Sequence, residues 1–336
     1  MTPVTAQPPL NAGMIGAAMG GDGGGVTARA IGGTQGGPLV GPRGGTGIRA
    51  PGLPPLPDAA SRQAICSLMR RVAGVEIEGD RGAFLRARLA SRLGALDLLD
   101  FTAYAALLSR DRAEQAFCVE ALTTNTTSFF REKAQFDWLR DEGIPTLVEA
   151  GAGRRAPLTV WSAACSTGQE GYSALMTVDH TLRVRRAEDL PFTLVGTDIS
   201  TEVLDHACRG IYSASDVAGV EDAMARRYLM RARTGDGRAR IVPELRARSR
   251  WQPINLIEAA PSSHAGVENS VFSGVDIAFL RNVLIYFSPE TRSRVIAAVV
   301  SRLRPSGYLL VGHAEAGAVR HPSLISVRPS IFIKVD

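Results

Sequence analysis

From about Pro157 the chain alternates short apolar runs with helical stretches, a rhythm that a sheet built of parallel βαβ units satisfies. LTVWSA reads as a strand, and STGQEGYSALMTVDHTL opens with small residues and continues as a helix. FTLVGT is a second strand, followed by a helix capped at Ser200 or Thr201 and closed by Gly210. VDIAFLRNVLIYF, a helix through SPETRSRVIAAVVSRLRPSG, and YLLVGHAE complete the series. A doubly wound α/β sheet follows from this order. Residues 211–250 break the rhythm. RYLMRARTGDGRARIVPEL has a helix-like start, a TGDG turn and a β-like return, so a small inserted β-subdomain with a hairpin is expected there.

Upstream, residues 58–122 read as a small all-α domain and 123–156 as a loop and linker helix. In RGAFLRARLASRLGALDLLDF, Leu85, Leu89 and Leu93 recur at helical spacing, with Gly94 as the expected stop. Arg81, Arg88 and Arg92 fall on one narrow face of the same helix, at about 3.6 residues per turn. That face is either a solvated surface or a docking stripe for an acidic helix. Residues 1–57 are rich in Gly, Pro and Ala, as in GGDGGG. They offer too little apolar surface to offset the entropy of ordering, so a disordered tail is expected.

Composition removes several classes of function. The four cysteines lack metal-ligand spacing and read as reduced thiols. No apolar run approaches the roughly 20 residues of a spanning helix, and no leader pattern opens the chain, so a cytoplasmic protein without membrane insertion is expected. The net charge of +5 comes almost entirely from arginine, without basic blocks interleaved with aromatics, and nucleic-acid binding is set aside. None of the five histidines has a convincing partner, and no nucleophile elbow is present, so hydrolase and metal chemistry are not expected.

Candidate site residues cluster where a doubly wound sheet binds ligands, beyond the carboxyl ends of its strands. After VWSA comes the turn ACSTGQEG, whose small residues allow close backbone approach. Glu170 lies in that turn and Asp198 ends the second strand. Each could be a local helix partner, but together they suit the hydroxyls and cationic parts of a nucleoside ligand. Arg281 and Asn282 fall mid-strand or near the strand end in an apolar run, where polar groups need partners, and Tyr286 follows at the far end. Asn255, in PINLIE, is either a turn former or a ligand contact. Thr124–Glu132, TNTTSFFRE, sets small polar residues against two phenylalanines and an Arg-Glu pair. A loop that cradles something polar and is pinned by Phe129 and Phe130 would explain it.

Taken together, TNTTSFFRE, VWSAACSTGQEGYSALM, GTDIS with EVLDHACRGIY, RRYLM, INLIE, FLRNVLIYF and GYLLVGHAE resemble, in order, the chemotaxis receptor methyltransferases of the CheR type. The resemblance covers about residues 60–336. It implies a Rossmann-like S-adenosylmethionine-dependent methyltransferase domain behind the helical one. It also implies transfer of methyl groups to glutamate side chains on the cytoplasmic helical domain of chemoreceptors, with S-adenosylhomocysteine as product. The loop at 123–156 would then contact the cofactor. Asn125, Thr127, Arg131, Glu170, Asp198, Asn255, Leu256, Arg281 and Asn282 would hold the cofactor, and Arg131 and Tyr286 would act at the methyl site. Arg81, Arg88 and Arg92 would dock the receptor, and the protein would be a monomer. A cofactor-binding regulator without transfer, or a small-molecule methyltransferase, would use the same fold. The family's acidic pair in the turn is Gln169-Glu170 here, its proline is Gly171, its cysteine before Arg281 is Leu280, and its serine after His313 is Ala314.

Overall fold

A computed structural model describes residues 53–77, 79–123, 126–232, 235–258 and 274–336. The tail expected to be disordered over 1–57 lies, up to residue 52, outside the described residues, and so does Asn125. The first described helix, α1 (Ala59–Ala73), starts where the Asp58 carboxylate accepts the Ser61 N–H at 2.7 Å, and ends at Gly74, at φ 68. It is followed by α2 (Gly82–Ala95), α3 (Phe101–Leu108) and α4 (Arg112–Leu122). The predicted stripe of Leu85, Leu89 and Leu93 is buried with Ile65, Met69 and Tyr104 in a core of its own. Gly94 is not the stop. It lies inside α2, and the chain turns instead at Asp97, whose φ is 53, a conformation that Asp tolerates better than most side chains.

Next come α5 (Lys133–Trp138), a π-turn at Leu139–Gly143 and α6 (Ile144–Glu149), which lead into β1 (Leu158–Ala163). Then follow α7 (Gln169–Val184), β2 (Phe192–Asp198) and α8 (Thr201–Arg209), the last capped by Ser200 and closed by Gly210. The inserted part holds β3 (Ile211–Tyr212), α9 (Ala214–Val217), α10 (Asp222–Tyr228), β4 (Leu229–Arg231), β5 (Ala239–Ile241) and α11 (Pro243–Arg246). The order β3-β5-β4 makes it a three-stranded antiparallel sheet. Its Tyr228 hydroxyl reaches Asp179 of α7 at 2.9 Å. The chain returns to the main sheet with β6 (Ser249–Pro253), so the tract read as insertion through residue 250 already contains the start of a main-sheet edge strand.

The series ends with β7 (Val275–Leu280), α12 (Pro289–Arg302), β8 (Leu303–Val311), β9 (Leu324–Arg328) and β10 (Ile331–Lys334). The seven strands are ordered β6-β2-β1-β7-β8-β10-β9. The first five run parallel, while β10 pairs antiparallel with β8 and β9, an edge hairpin that the alternating pattern did not disclose. Side chains alternate across the sheet. Leu158 and Val160 of β1 enter one core with Leu175 of α7, whereas Trp161 and Ala163 enter the other with Val295 and Val299 of α12. The switch point is therefore β1, with β2 on one side and β7 on the other.

The helical part is tied to the sheet at two places. Val75 pairs with Phe287, the Glu76 N–H donates to the Tyr286 carbonyl at 2.8 Å, and Asn255 Nδ2 donates to the Val72 carbonyl at 2.6 Å. On α4, the Glu120 carboxylate accepts the Ser200 hydroxyl and, at 3.1 Å, the Glu202 N–H. Gly74 is required at the first tie: its φ is positive, and a Cβ would lie 2.8 Å from Ile257 Cγ2.

The arginine stripe is divided by its neighbours. Arg81 is the N-cap of α2, and both it and Arg88 are exposed and flank the Phe84 ring. Arg92 instead grips the buried Glu114 of α4, its Nε 3.0 Å from Oε1, and the Tyr104 hydroxyl donates to the same carboxylate at 2.8 Å. The bond from Arg92 holds the Glu114 carboxyl below its ordinary value despite burial. Arg92→Ala is therefore expected to destabilise the protein by about 1–3 kcal/mol, because it leaves a buried carboxylate short of a partner. Arg88→Ala should change stability by less than about 0.5 kcal/mol. Urea unfolding of the two variants checks this, and equal effects would contradict it.

Candidate active site

The strand ends at the switch point are shaped by backbone that glycine would adopt more readily than the residues present. Ala164 (φ 61) and Ser166 (φ 49) curl the turn after β1, and Phe130 (φ 51), Glu132 (φ 59) and Asn282 (φ 57) do the same nearby. Such conformations persist where the surroundings over-determine them, and they concentrate at functional sites. Gly168, at φ 93, completes the turn, and a Cβ there would lie 2.7 Å from that of Ala207.

The curled turn presents its backbone to the acid at the end of β2. Asp198 Oδ2 accepts the Ser166 N–H at 2.8 Å, and Oδ1 accepts the Ser200 N–H at 3.1 Å. Burial raises the Asp198 pKa, and these backbone donors oppose the rise. In the first turn of α7, Glu170 Oε1 accepts the Ser162 hydroxyl at 2.7 Å, while Oε2 lies 3.4 Å from Arg281 Nη1. Burial raises the Glu170 pKa too, with Arg281 the largest opposing influence.

Arg281 follows the last residue of β7, and its side chain is only 1% exposed. It stands between Glu170 and Glu132, each 3.4 Å away, donates to the Arg131 carbonyl, and lies 5.5 Å from the centre of the Phe136 ring. Its Nε and Nη1 and the Glu132 Oε2 are buried without a hydrogen-bond partner. Buried polar atoms in this condition are rare and call for a specific reason.

The TNTTSFFRE segment forms the facing wall. Phe129 packs edge-on to Tyr212 with centroids 4.9 Å apart, and Phe130 edge-on to Phe136 at 5.4 Å. The Phe130 N–H also donates to the Ser173 hydroxyl at 2.9 Å. The two rings thus fix the segment to the core on both sides of the turn. Arg131, between two positive-φ residues, donates from Nη1 to the Thr126 carbonyl at 2.9 Å and lines the cleft.

Together these elements enclose a cleft of about 1020 Å³, counting its open mouth. Of the residues singled out from sequence, Thr127, Arg131, Glu170, Asp198, Asn255, Leu256, Arg281, Asn282 and Tyr286 all line it. One position differs from the sequence reading, and one takes the turn-forming alternative that the reading allowed. Tyr286 is not at a strand end but in a 3-10 turn, Leu284–Tyr286, beyond the end of β7. The Asn255 amide is committed to Val72 and, at 3.2 Å, to Glu258. Arg81 at the N-cap of α2, and Arg88 and Arg92 on that helix, lie outside the cleft. Sequence reasoning missed Glu132, which pairs with Arg281, and the contribution of the helical part, whose Ala73, Val75 and Leu122 line the cleft. Glu132 was legible only as a neighbour of Arg131 in a quoted motif.

Removing the central cation strands both acids. Arg281→Ala is expected to cost about 3–5 kcal/mol of stability, the range for breaking a buried ion pair from one side. Adding Glu170→Gln should restore part of the loss. Thermal denaturation of the single and double variants checks it, and strict additivity would contradict the pairing.

Comparison with known proteins agrees with this architecture. Residues 61–123 match the family described as CheR methyltransferase, all-alpha domain, and residues 125–329 match the one described as CheR methyltransferase, SAM binding domain. The chain is 36% identical over 255 residues to chemotaxis protein methyltransferase 2 of Pseudomonas aeruginosa, covering 75% of this chain and 85% of that protein. It is 36% identical over 265 residues to the chemotaxis protein methyltransferase of Klebsiella aerogenes, covering 78% and 84%. To that of Salmonella typhimurium it is 35% identical over 264 residues, covering 77% and 84%.

Proposed function

The chain belongs to the CheR methyltransferase family and is an S-adenosylmethionine-dependent methyltransferase, and from that premise we propose that it methylates glutamate side chains of chemoreceptors. The observation that carries this reading is the gathering of Glu170, Asp198, Arg131 and Tyr286 around one cleft. The cleft suits the cofactor on its own chemistry. The carboxylates of buried Asp198 and largely buried Glu170 suit a ligand with cationic and hydroxyl groups, orphaned polar atoms of Arg281 and Glu132 lie nearby, and Ile199, Leu256 and Val283 supply an apolar wall. We assign Thr127, Arg131, Glu170, Asp198, Asn255, Leu256, Arg281 and Asn282 to holding it, with Asn255 acting through its backbone. Asn125 belongs to the same set by its place in the motif.

When bound, S-adenosylmethionine supplies an electrophilic methyl group carried on a sulfonium. The acceptor is a glutamate carboxylate, with an unperturbed pKa near 4.3, so it is ionised at neutral pH and the chain need not remove a proton. The protein's contribution is alignment, which can supply about 7–11 kcal/mol of barrier reduction. Arg131, braced by the Thr126 carbonyl, draws the carboxylate into the cleft, and Tyr286 closes its other side. The walls exclude water from the carboxylate as it approaches. Arg131 must guide the anion without holding the ground state so firmly that the gain is lost.

The exposed Arg81 and Arg88 are our candidates for docking the acidic cytoplasmic helices of a receptor, whereas the guanidinium of Arg92 is held by Glu114. We place the protein in the cytoplasm as a monomer; no described helix is long and apolar enough to cross a membrane.

Incubation with labelled S-adenosylmethionine and receptor cytoplasmic fragments should leave alkali-labile label on the receptor. Arg131→Ala should abolish that transfer, and near-normal turnover would overturn the assignment. Cofactor uptake should also depend on pH. Burial makes the Glu170 and Asp198 carboxyls titrate above their ordinary values, so they take up protons earlier than free side chains on acidification. Affinity, full at neutral pH, should therefore be lost as the pH falls through those raised values. Calorimetry across a pH series, showing affinity unchanged down to the ordinary carboxylate range, would contradict the role of these acids.

A further inference from the structure

Glu315 is buried at 2% exposure, and none of the roles above uses it. Its Oε2 accepts the N–H of Gly312 and the N–H of Asn282, each at 2.8 Å, and its Oε1 accepts the N–H of Ile285 at 3.2 Å. A local explanation accounts for only the first of these, because the Glu315 side chain reaches back to the N–H of Gly312, the N-cap of the short turn His313–Ala318. The other two donors come from 33 and 30 residues earlier in the chain, in the segment that leaves β7. β7 and β8 are parallel neighbours with Leu280 opposite Val311, so two adjacent strand ends deliver their N–H groups to one carboxylate.

Those N–H groups belong to the wall of the cleft. Asn282 lines the cleft at φ 57, a conformation that costs energy unless it is held. Ile285 lies in the 3-10 turn with Tyr286, which lines the cleft as well. Gly312 bears out how closely the parts are set. Its φ of −62 suits any residue, yet a Cβ would lie 2.7 Å from Glu315 Oε2 and 2.8 Å from Asn282 Nδ2. Glycine is needed here for space, not for backbone freedom.

We propose that Glu315 is a positioning residue for methyl transfer, fixing Asn282 and Tyr286 in the cleft wall through the backbone of the turn that carries them. This rests on the cleft being the methyl-transfer site. Two substitutions probe the junction from opposite sides. Glu315→Gln keeps the volume but replaces an accepting oxygen with an N–H₂ that faces backbone donors. Gly312→Ala keeps the carboxylate and the backbone conformation but crowds Oε2 against Asn282. Each variant is assayed with receptor fragments for kcat and KM, by calorimetry with S-adenosylhomocysteine, and by thermal denaturation. In each, kcat should fall about 10- to 100-fold, since a misplacement of about 1 Å can cost on the order of 100-fold, and more than KM or product affinity changes. A folded variant with a lowered thermal midpoint but kcat within about two-fold of the parent would show a merely structural role and overturn the proposal. If Glu315→Gln does not fold, Gly312→Ala decides alone. A parent chain that takes up the product yet transfers no methyl group removes the functional reading, and this one with it.

Discussion

A guanidinium buried between two carboxylates organises the site. Arg281 has almost no exposure, and taking such a group out of water is costly unless charge and hydrogen bonds compensate for it. Compensation comes from three directions: Glu170 from the first turn of α7, Glu132 from the segment entering α5, and the Arg131 carbonyl. Arg131 and Glu132 are neighbours in one segment, while Glu170 and Arg281 itself lie on two others. Satisfying one buried cation therefore brings the β1 turn, the end of β7 and the TNTTSFFRE segment to the same place. The positive-φ residues around it, Phe130, Glu132, Ala164, Ser166 and Asn282, are the backbone cost of that convergence.

The helical part completes the enclosure instead of standing apart from it. Val75 pairs with Phe287 next to Tyr286, and Glu120 accepts N–H and hydroxyl donors at the start of α8, two residues beyond Asp198. The cleft is thus braced by contacts from the segment after α1 and from α4. A methyl donor held there faces a wall built by both parts of the chain, which suits a reaction whose catalysis is mainly alignment and exclusion of water.

Much of this was legible because regular structure writes itself into the chain with a period. Alternating strands and helices disclosed the parallel sheet, and the Ser200 and Gly210 caps delimited α8. Glu170 and Asp198 were readable only as a pair, since both fall at or beyond the strand ends where such a sheet binds ligands, whereas each alone could have served as a helix partner. The misses have physical reasons as well. β6, SRWQP, is a half-exposed edge strand ending in proline, so it lacks the apolar run that marks its neighbours. Gly94 looked like a helix stop, but Asp97 takes the left-handed conformation instead. The arginine stripe looked uniform because helical spacing cannot reveal that Glu114, on another helix, claims Arg92 alone. Glu315 was not singled out, because two of its three donors lie some thirty residues away in sequence.

The central claim is that the cleft between the strand ends and the helical part holds the cofactor. Hydrogen–deuterium exchange with and without saturating S-adenosylhomocysteine tests it most directly. Protection is expected in peptides covering 126–131, 164–170, 198–199 and 281–286, which line that cleft. Measurable uptake of the product with protection confined to α2, the small three-stranded sheet or the β9–β10 edge would contradict it.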